Sequence, residues 1–270
     1  MTNRVAILGA GGRMGAAITR CIQDGRVPGL QLAGAVDRDG HPGLGADVGA
    51  LSGTTPAGVL LTNDAAAVVP NIDVAIDFSA PESTAAHAAL AAAAGKALVI
   101  GTTGLAADQH ASVSRASGSI PIVMAPNMSL GINLLLALAR QAATSLRGKG
   151  YDVEIIERHH RLKKDAPSGT ALGLGKAVAA GLDIDLDEAS RHGREGVPGE
   201  RTADEIGFHA VRAGDFVGDH TVLFATDGES VELSHRATSR DTFATGALRA
   251  AAWVCGREPG LYSMRDVLGL

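Results

Sequence analysis

The chain has 270 residues, of which 46% are hydrophobic and 20% charged, and its formal charge is −5. That length and composition allow two domains with real cores and argue against a disordered chain. The negative balance and an aromatic content of only 3% argue against a nucleic-acid binder, which needs a basic face or stacking platforms, and no apolar run reaches the roughly 18 residues of a membrane span.

Residues 4–8 form a short apolar run that ends in glycine, the pattern of a buried parallel strand. The stretch Gly9, Ala10, Gly11, Gly12, Arg13, Met14, Gly15 follows, and helical spacing covers 16–22. Strand, glycine turn and helix are the context of a dinucleotide fingerprint. The spacing is G-x-x-G-x-x-G through Gly9, Gly12 and Gly15, because Met14 stands where the commoner form has its third glycine. Taken alone, the motif also fits a plain tight turn. A second strand over 32–36 ends at Asp37, followed by Arg38. A carboxylate at that tip accepts from ribose hydroxyls, and a neighbouring guanidinium can pair with a 2′-phosphate. The pair points to use of both NADH and NADPH, and it is compatible with a polar turn.

The strand pattern returns at 74–78, 97–100 and 120–124, with an alanine-rich helix over 82–95. These strands run into Ser79 and Ala80, into Gly101, Thr102, Thr103 and Gly104, and into Ala125, Pro126 and Asn127. Ligands bind at the carboxyl ends of strands in an open parallel sheet, so these loops are expected to line one cleft. Pro121 belongs at the first residue of a strand or on an edge. With no signal peptide in view the chain is expected in the cytoplasm, with Cys21 and Cys255 as reduced core residues.

The second half changes pattern. A helix over 133–146 leads to a strand over 153–157 that delivers His159 and His160 to its end. Ser168 can cap a helix running from Gly169 to about 181. Residues 183–202 read as a long exposed loop, three strand runs follow at 206–212, 217–225 and 230–237, and a helix over 241–255 precedes a closing segment at 261–270. The expected fold is α/β: a Rossmann-like parallel sheet domain plus a second α+β domain with a mixed, mostly antiparallel sheet. The expected boundaries are 1–128 with 240–270 for the dinucleotide-binding domain, and 129–239 for the substrate domain.

Residues 157–170 are the most informative stretch. They combine two adjacent histidines, several basic side chains and a helix start. Imidazoles move protons near neutral pH, Lys163 can hold an anion or protonate it, and amides at a helix start attract anions. Carboxylate recognition and proton donation in one segment favour an active site over a solvated basic loop. A metal is not expected. Adjacent histidines on a strand point to opposite faces, and the others lack ligand spacing.

The string H-H-x-x-K-x-D-x-P-S-G-T from His159 to Thr170 is more selective than the glycine loop. Together with Gly9 to Gly15, Gly101 to Gly104 and Ala125 to Ser129, it resembles the 4-hydroxy-tetrahydrodipicolinate (dihydrodipicolinate) reductase family of lysine and diaminopimelate biosynthesis. The resemblance covers nearly the whole chain. It implies an NADH- and/or NADPH-dependent oxidoreductase acting on a small dicarboxylate, without metal, nucleic acid or membrane. It implies catalytic roles for His159 and Lys163, and substrate contacts from His160, Gly169 and Thr170. Cofactor contacts would come from Gly9, Ala10, Gly11, Gly12, Arg13, Met14, Asp37, Arg38, Gly101, Thr102, Thr103, Ala125, Pro126, Asn127 and Met128. It also implies a homotetramer joined through the second domain. Two positions depart from the pattern: relatives often carry Glu where this chain has Asp37, and some carry Arg where it has Ala80. Two rival readings are a related amino-acid-type dehydrogenase and a non-catalytic sensor of nicotinamide redox state. The first has no need for the double-histidine string, and the second has no use for Lys163 and the anion-ready helix start.

Overall fold

The computed structural model describes residues 2–270, which divide into two compact units. The first extends to Leu130 and resumes over Arg240–Leu270; the second is Gly131–Ser239.

The first unit is built on strands β1 (Asn3–Leu8), β2 (Leu30–Val36), β3 (Val74–Asp77), β4 (Ala97–Ile100) and β5 (Pro121–Met124), with β11 (Gly260–Tyr262) added near the C-terminus. They pair in the order β11-β5-β4-β3-β1-β2, every ladder parallel. All residues of β3 and β4 are buried, which explains their unbroken apolar sequence. Alternate side chains serve opposite faces. Val5, Ile7, Val74, Ile76 and Val99 pack with Ala17, Ile18 and Cys21 of the helix Arg13–Gln23 and with Ala247 and Leu248 of the helix Asp241–Val254. Leu8, Ala75, Leu98 and Ile100 pack on Ala88 and Ala91 of the helix Pro81–Ala94 and on Val113 of the helix Ala107–Ser117. Pro121 opens β5, where its missing N–H costs least, but β5 is not an edge, because Gly260 pairs with Pro121. The closing segment thus holds both an edge strand and the short helix Met264–Leu268.

The second unit contains β6 (Asp152–His159), β7 (Ser190–His192), β8 (Ile206–Arg212), β9 (Gly218–Thr226) and β10 (Glu229–Ala237), in the order β10-β9-β6-β8-β7. The two ladders on the β10 side are antiparallel and the two on the β7 side are parallel, so the sheet is mixed. One face buries Val153, Ile155, Phe208, Val222 and Phe224 against Leu135 and Ala139 of the helix Leu130–Leu146 and Leu174 and Val178 of the helix Gly169–Leu182. The expected loop over 183–202 is partly ordered. Asp185 caps a helical turn at Leu186–Ala189, and β7 pairs with β8. Arg194 and Arg201 pin the remainder of that loop to Glu154 of β6 and Glu205. No helix among the described residues is long and apolar enough to cross a membrane.

Candidate active site

In the first unit, the loops that leave the carboxyl ends of β1, β2 and β3 enclose a cavity of about 470 Å³. Gly9, Gly12, Asp37, Arg38, Ser79, Ala80 and His87 are among the residues lining it. Gly9 has φ +86°, and a Cβ there would lie 2.5 Å from the Phe78 carbonyl oxygen, so only glycine fits. Gly15 lets the first helix approach the loop, since a Cβ on it would meet the Ala10 carbonyl oxygen at 2.4 Å. Gly12 starts that helix with extended backbone and no side-chain cap. The first-turn amides of such a start are suited to a phosphate. Asp37 lies at the tip of β2. Its Oδ2 accepts the Gly11 N–H at 2.8 Å and its Oδ1 the Arg38 N–H at 2.8 Å. Each oxygen keeps a lone pair for a sugar hydroxyl.

The other residues expected at the cofactor are placed differently. Arg13 is exposed at the first position of the helix Arg13–Gln23, and Thr103 and Pro126 are exposed on strand-end loops. Ala10, Ala125 and Met128 are buried in the core, and Met14 packs against it partly buried. Gly246 sets that arrangement, because a Cβ there would sit 1.8 Å from the Met128 carbonyl oxygen. Gly101 packs beneath the Phe78 ring, where a Cβ would lie 2.2 Å from Cζ. Thr102 is buried and donates to the Asp77 Oδ1 at 3.2 Å. Asn127 accepts the Ser129 N–H at 2.9 Å.

Asp77 itself is fully buried. It accepts from the Ser79 hydroxyl at 2.6 Å and faces the His87 Nδ1 at 2.9 Å. No motif marks His87, which stands seven residues into the helix Pro81–Ala94, beyond the turn that follows Asp77.

In the second unit, β6 ends at the histidine pair. His159 is its last residue and is buried; His160 follows and donates its N–H to the Phe216 carbonyl at 2.8 Å. His159 Nδ1 contacts the Glu157 Oε2, and Gly218 leaves room beside its Nε2. Burial lowers the proton affinity of His159, and the hydrogen bond and charge of Glu157 only partly oppose this, so the ring sits below the usual histidine range. Lys163 turns back on Asp165, Nζ to Oδ1 2.8 Å. That pairing holds the Asp165 carboxyl below the ordinary carboxylate range. A cis Ala166–Pro167 peptide leads into Ser168, whose hydroxyl accepts the Ala171 N–H at 3.1 Å and so caps the helix Gly169–Leu182. Gly169 and Thr170 occupy its first two positions, at the end of the helix whose dipole favours an anion. Imidazoles, an ammonium and a helix start therefore lie together within one unit, an arrangement suited to binding an anion and moving a proton. Among the described residues no group of three or more His, Cys, Asp or Glu is placed to hold a metal.

Glu157, Arg212 and His220 were not anticipated. Glu157 and His159 alternate along a strand, a pattern that places both on one face. Arg212 and His220 come from β8 and β9, and no local spacing announces them.

Two family models match in succession: "Dihydrodipicolinate reductase, N-terminus" over residues 3–128 and "Dihydrodipicolinate reductase, C-terminus" over residues 131–268. The chain belongs to the dihydrodipicolinate reductase family. It is similar to the 4-hydroxy-tetrahydrodipicolinate reductases of Thiobacillus denitrificans, 53% identical, and Alkalilimnicola ehrlichii, 52% identical, each over 270 residues and the full length of both chains. Among solved structures, the dipicolinate-bound dihydrodipicolinate reductase of Paenisporosarcina sp. TG-14 matches with a TM-score of 0.77 and 26% identity, covering 98% of this chain and 99% of that one. An amine dehydrogenase of Mycobacterium smegmatis shares the fold alone, with a TM-score of 0.65 at 14% identity. Membership makes the chain an oxidoreductase whose first unit is a Rossmann-type nucleotide-binding domain.

Proposed function

We propose that the chain reduces 4-hydroxy-tetrahydrodipicolinate to tetrahydrodipicolinate in lysine and diaminopimelate biosynthesis, with either NADH or NADPH. The bound nicotinamide supplies the hydride. The first unit is the dinucleotide-binding domain: Gly9 to Met14 take the pyrophosphate and Asp37 the ribose. Arg38 takes the extra phosphate of NADPH, and Gly101 to Thr103 with Ala125 to Met128 lie on the nicotinamide side. In the second unit, His160 and the amides of Gly169 and Thr170 hold substrate carboxylates. His159 transfers the proton, and Lys163 is the second donor, stabilising negative charge as hydride arrives. The second unit also joins the chain into a homotetramer, and the enzyme works in the cytoplasm.

The observation that carries this reading is the placement of His159, Lys163 and an anion-ready helix start within one unit of a chain whose other unit is a dinucleotide fold. A crystal structure with reduced cofactor and pyridine-2,6-dicarboxylate tests it. The diacid is expected on His160, Lys163 and the Gly169–Thr170 amides. A diacid bound elsewhere would refute the assignment.

A further inference from the structure

Glu157 is 1% exposed, and the chemistry above leaves it without a task. A carboxylate so far from water needs compensation, and four donors supply it. Oε1 accepts from Arg212 Nη2 at 2.7 Å and from the Ser168 N–H at 3.0 Å. Oε2 accepts from Arg212 Nη1 at 2.8 Å and faces His159 Nδ1. With donors on both oxygens the carboxylate cannot turn. Its proton affinity reflects the same balance: burial would raise it, but the hydrogen bonds from Arg212, His159 and Ser168 outweigh burial and keep Glu157 ionised.

We propose that Glu157 is the positioning residue for His159, holding its proton on Nδ1 so that Nε2 is the atom offered to the reacting ligand, with Arg212 as the counter-ion that keeps Glu157 charged. The inference rests on the reading of His159 as the proton-transfer group. A simple stitch between β6 and β8 would need the ion pair alone. Here the same carboxylate also binds the Ser168 amide, and Arg212 donates onward to the Asp165 carbonyl at 2.7 Å. One charge thereby registers His159 against both the Lys163 segment and the helix start.

The charged and titratable groups facing His159 are Glu157 on its own strand, Arg212 from β8, His220 from β9 and Lys163 from the following loop. Glu157 is the one among them that favours the imidazolium. Glu157→Gln keeps the shape, removes that charge and replaces one acceptor oxygen with an NH₂ group. The Oε1 place faces two N–H groups that can only donate. The Oε2 place faces one such group and an imidazole, which can offer a lone pair instead. The amide nitrogen therefore turns to His159, donates to Nδ1 and moves the ring proton to Nε2.

Nitrogen-15 NMR of histidine-labelled protein reads the tautomer, and kcat against pH reads its consequence. In the wild type, neutral His159 is expected to carry its proton on Nδ1. In E157Q the proton is expected on Nε2, His159 titrates at lower pH, kcat falls about 100-fold or more, and NADPH affinity stays within about threefold. A wild-type ring protonated on Nε2 would overturn the proposal, and that measurement needs no variant to fold. An E157Q protein with unchanged tautomer and titration would overturn it too. If the tautomer switches while turnover persists, positioning stands and the assignment of His159 as proton donor is what fails.

Discussion

His220 and Ser168 meet with Nε2 3.1 Å from Oγ, and that hydroxyl is the same one that caps the helix carrying Gly169 and Thr170. The contact ties β9 to the start of the helix Gly169–Leu182. Ser168→Ala removes both interactions. Loss of the cap costs about 1 kcal/mol, and the orphaned imidazole adds to it. Chemical denaturation should show at least that loss, together with weaker binding of pyridine-2,6-dicarboxylate.

Burial pushes His220 down to about 3, with the neighbouring His159 adding to the shift. The folded chain therefore binds fewer protons than the unfolded chain between pH 6.5 and about 3, and stability falls on acidification through that window. Burial also lowers His159 and His235, which steepens the loss. Melting temperature should drop as pH is taken from 7 to 5. Replacing His220 with Gln should flatten that slope, though it lowers stability at pH 7.

Glu154 acts in a lower window. Burial would raise its carboxyl, but Arg194, His209 and Arg201 outweigh burial and hold it at about 2. Its stabilisation is present above pH 4.5 and is lost as pH falls toward 2. Glu154→Gln should destabilise the protein by about 1–3 kcal/mol at neutral pH, loosen the 193–205 loop in hydrogen exchange and remove that acid-dependent step.

Asp37 and Arg38 should separate the two cofactors. Arg38→Ala is expected to weaken NADPH binding about tenfold or more while leaving NADH nearly unchanged. Asp37→Ala should weaken both, because Asp37 also holds the Gly11 amide at 2.8 Å and the glycine loop loses its anchor. Fluorescence titration with each nucleotide tests this. Equal losses for both in the Arg38 variant would mean that it does not read the phosphate.

His159→Ala and Lys163→Ala should each cut kcat about 100-fold or more while NADPH affinity stays nearly constant, since proton transfer is lost but the first unit is untouched. Steady-state kinetics with a direct binding measurement decides it. Loss of cofactor binding with turnover intact at saturation would reverse the roles.

Much of this fold is legible in the sequence, because buried parallel strands are unbroken apolar runs, as at Val5 to Leu8 and Val74 to Ile76. The misses have physical causes. Ser190–His192 is a three-residue polar edge strand that pairs with Phe208 and its neighbours rather than following a pattern of its own. Helical turns such as Val48–Leu51 and Ala65–Val68 are too short for helical periodicity to register. At the site, the string from His159 to Thr170 locates the local elements well, since strand end, loop and cap follow one another in sequence. The partners of those residues are another matter. Arg212 is 55 positions from Glu157, and His220 is 52 from Ser168. Residues such as Met128 and Ala125 can be placed on the correct loop from sequence, but their burial follows from the helix that Gly246 lets approach.

The activity proposed for this chain is hydride transfer from nicotinamide to a cyclic dicarboxylate. Absorbance at the reduced-nicotinamide band, followed with purified protein, NADPH and enzymatically generated 4-hydroxy-tetrahydrodipicolinate, tests it most directly. Absorbance is expected to fall steadily, in a reaction that requires the substrate, is inhibited by pyridine-2,6-dicarboxylate and is nearly abolished by His159→Ala. A flat trace from folded protein with either NADPH or NADH would contradict it.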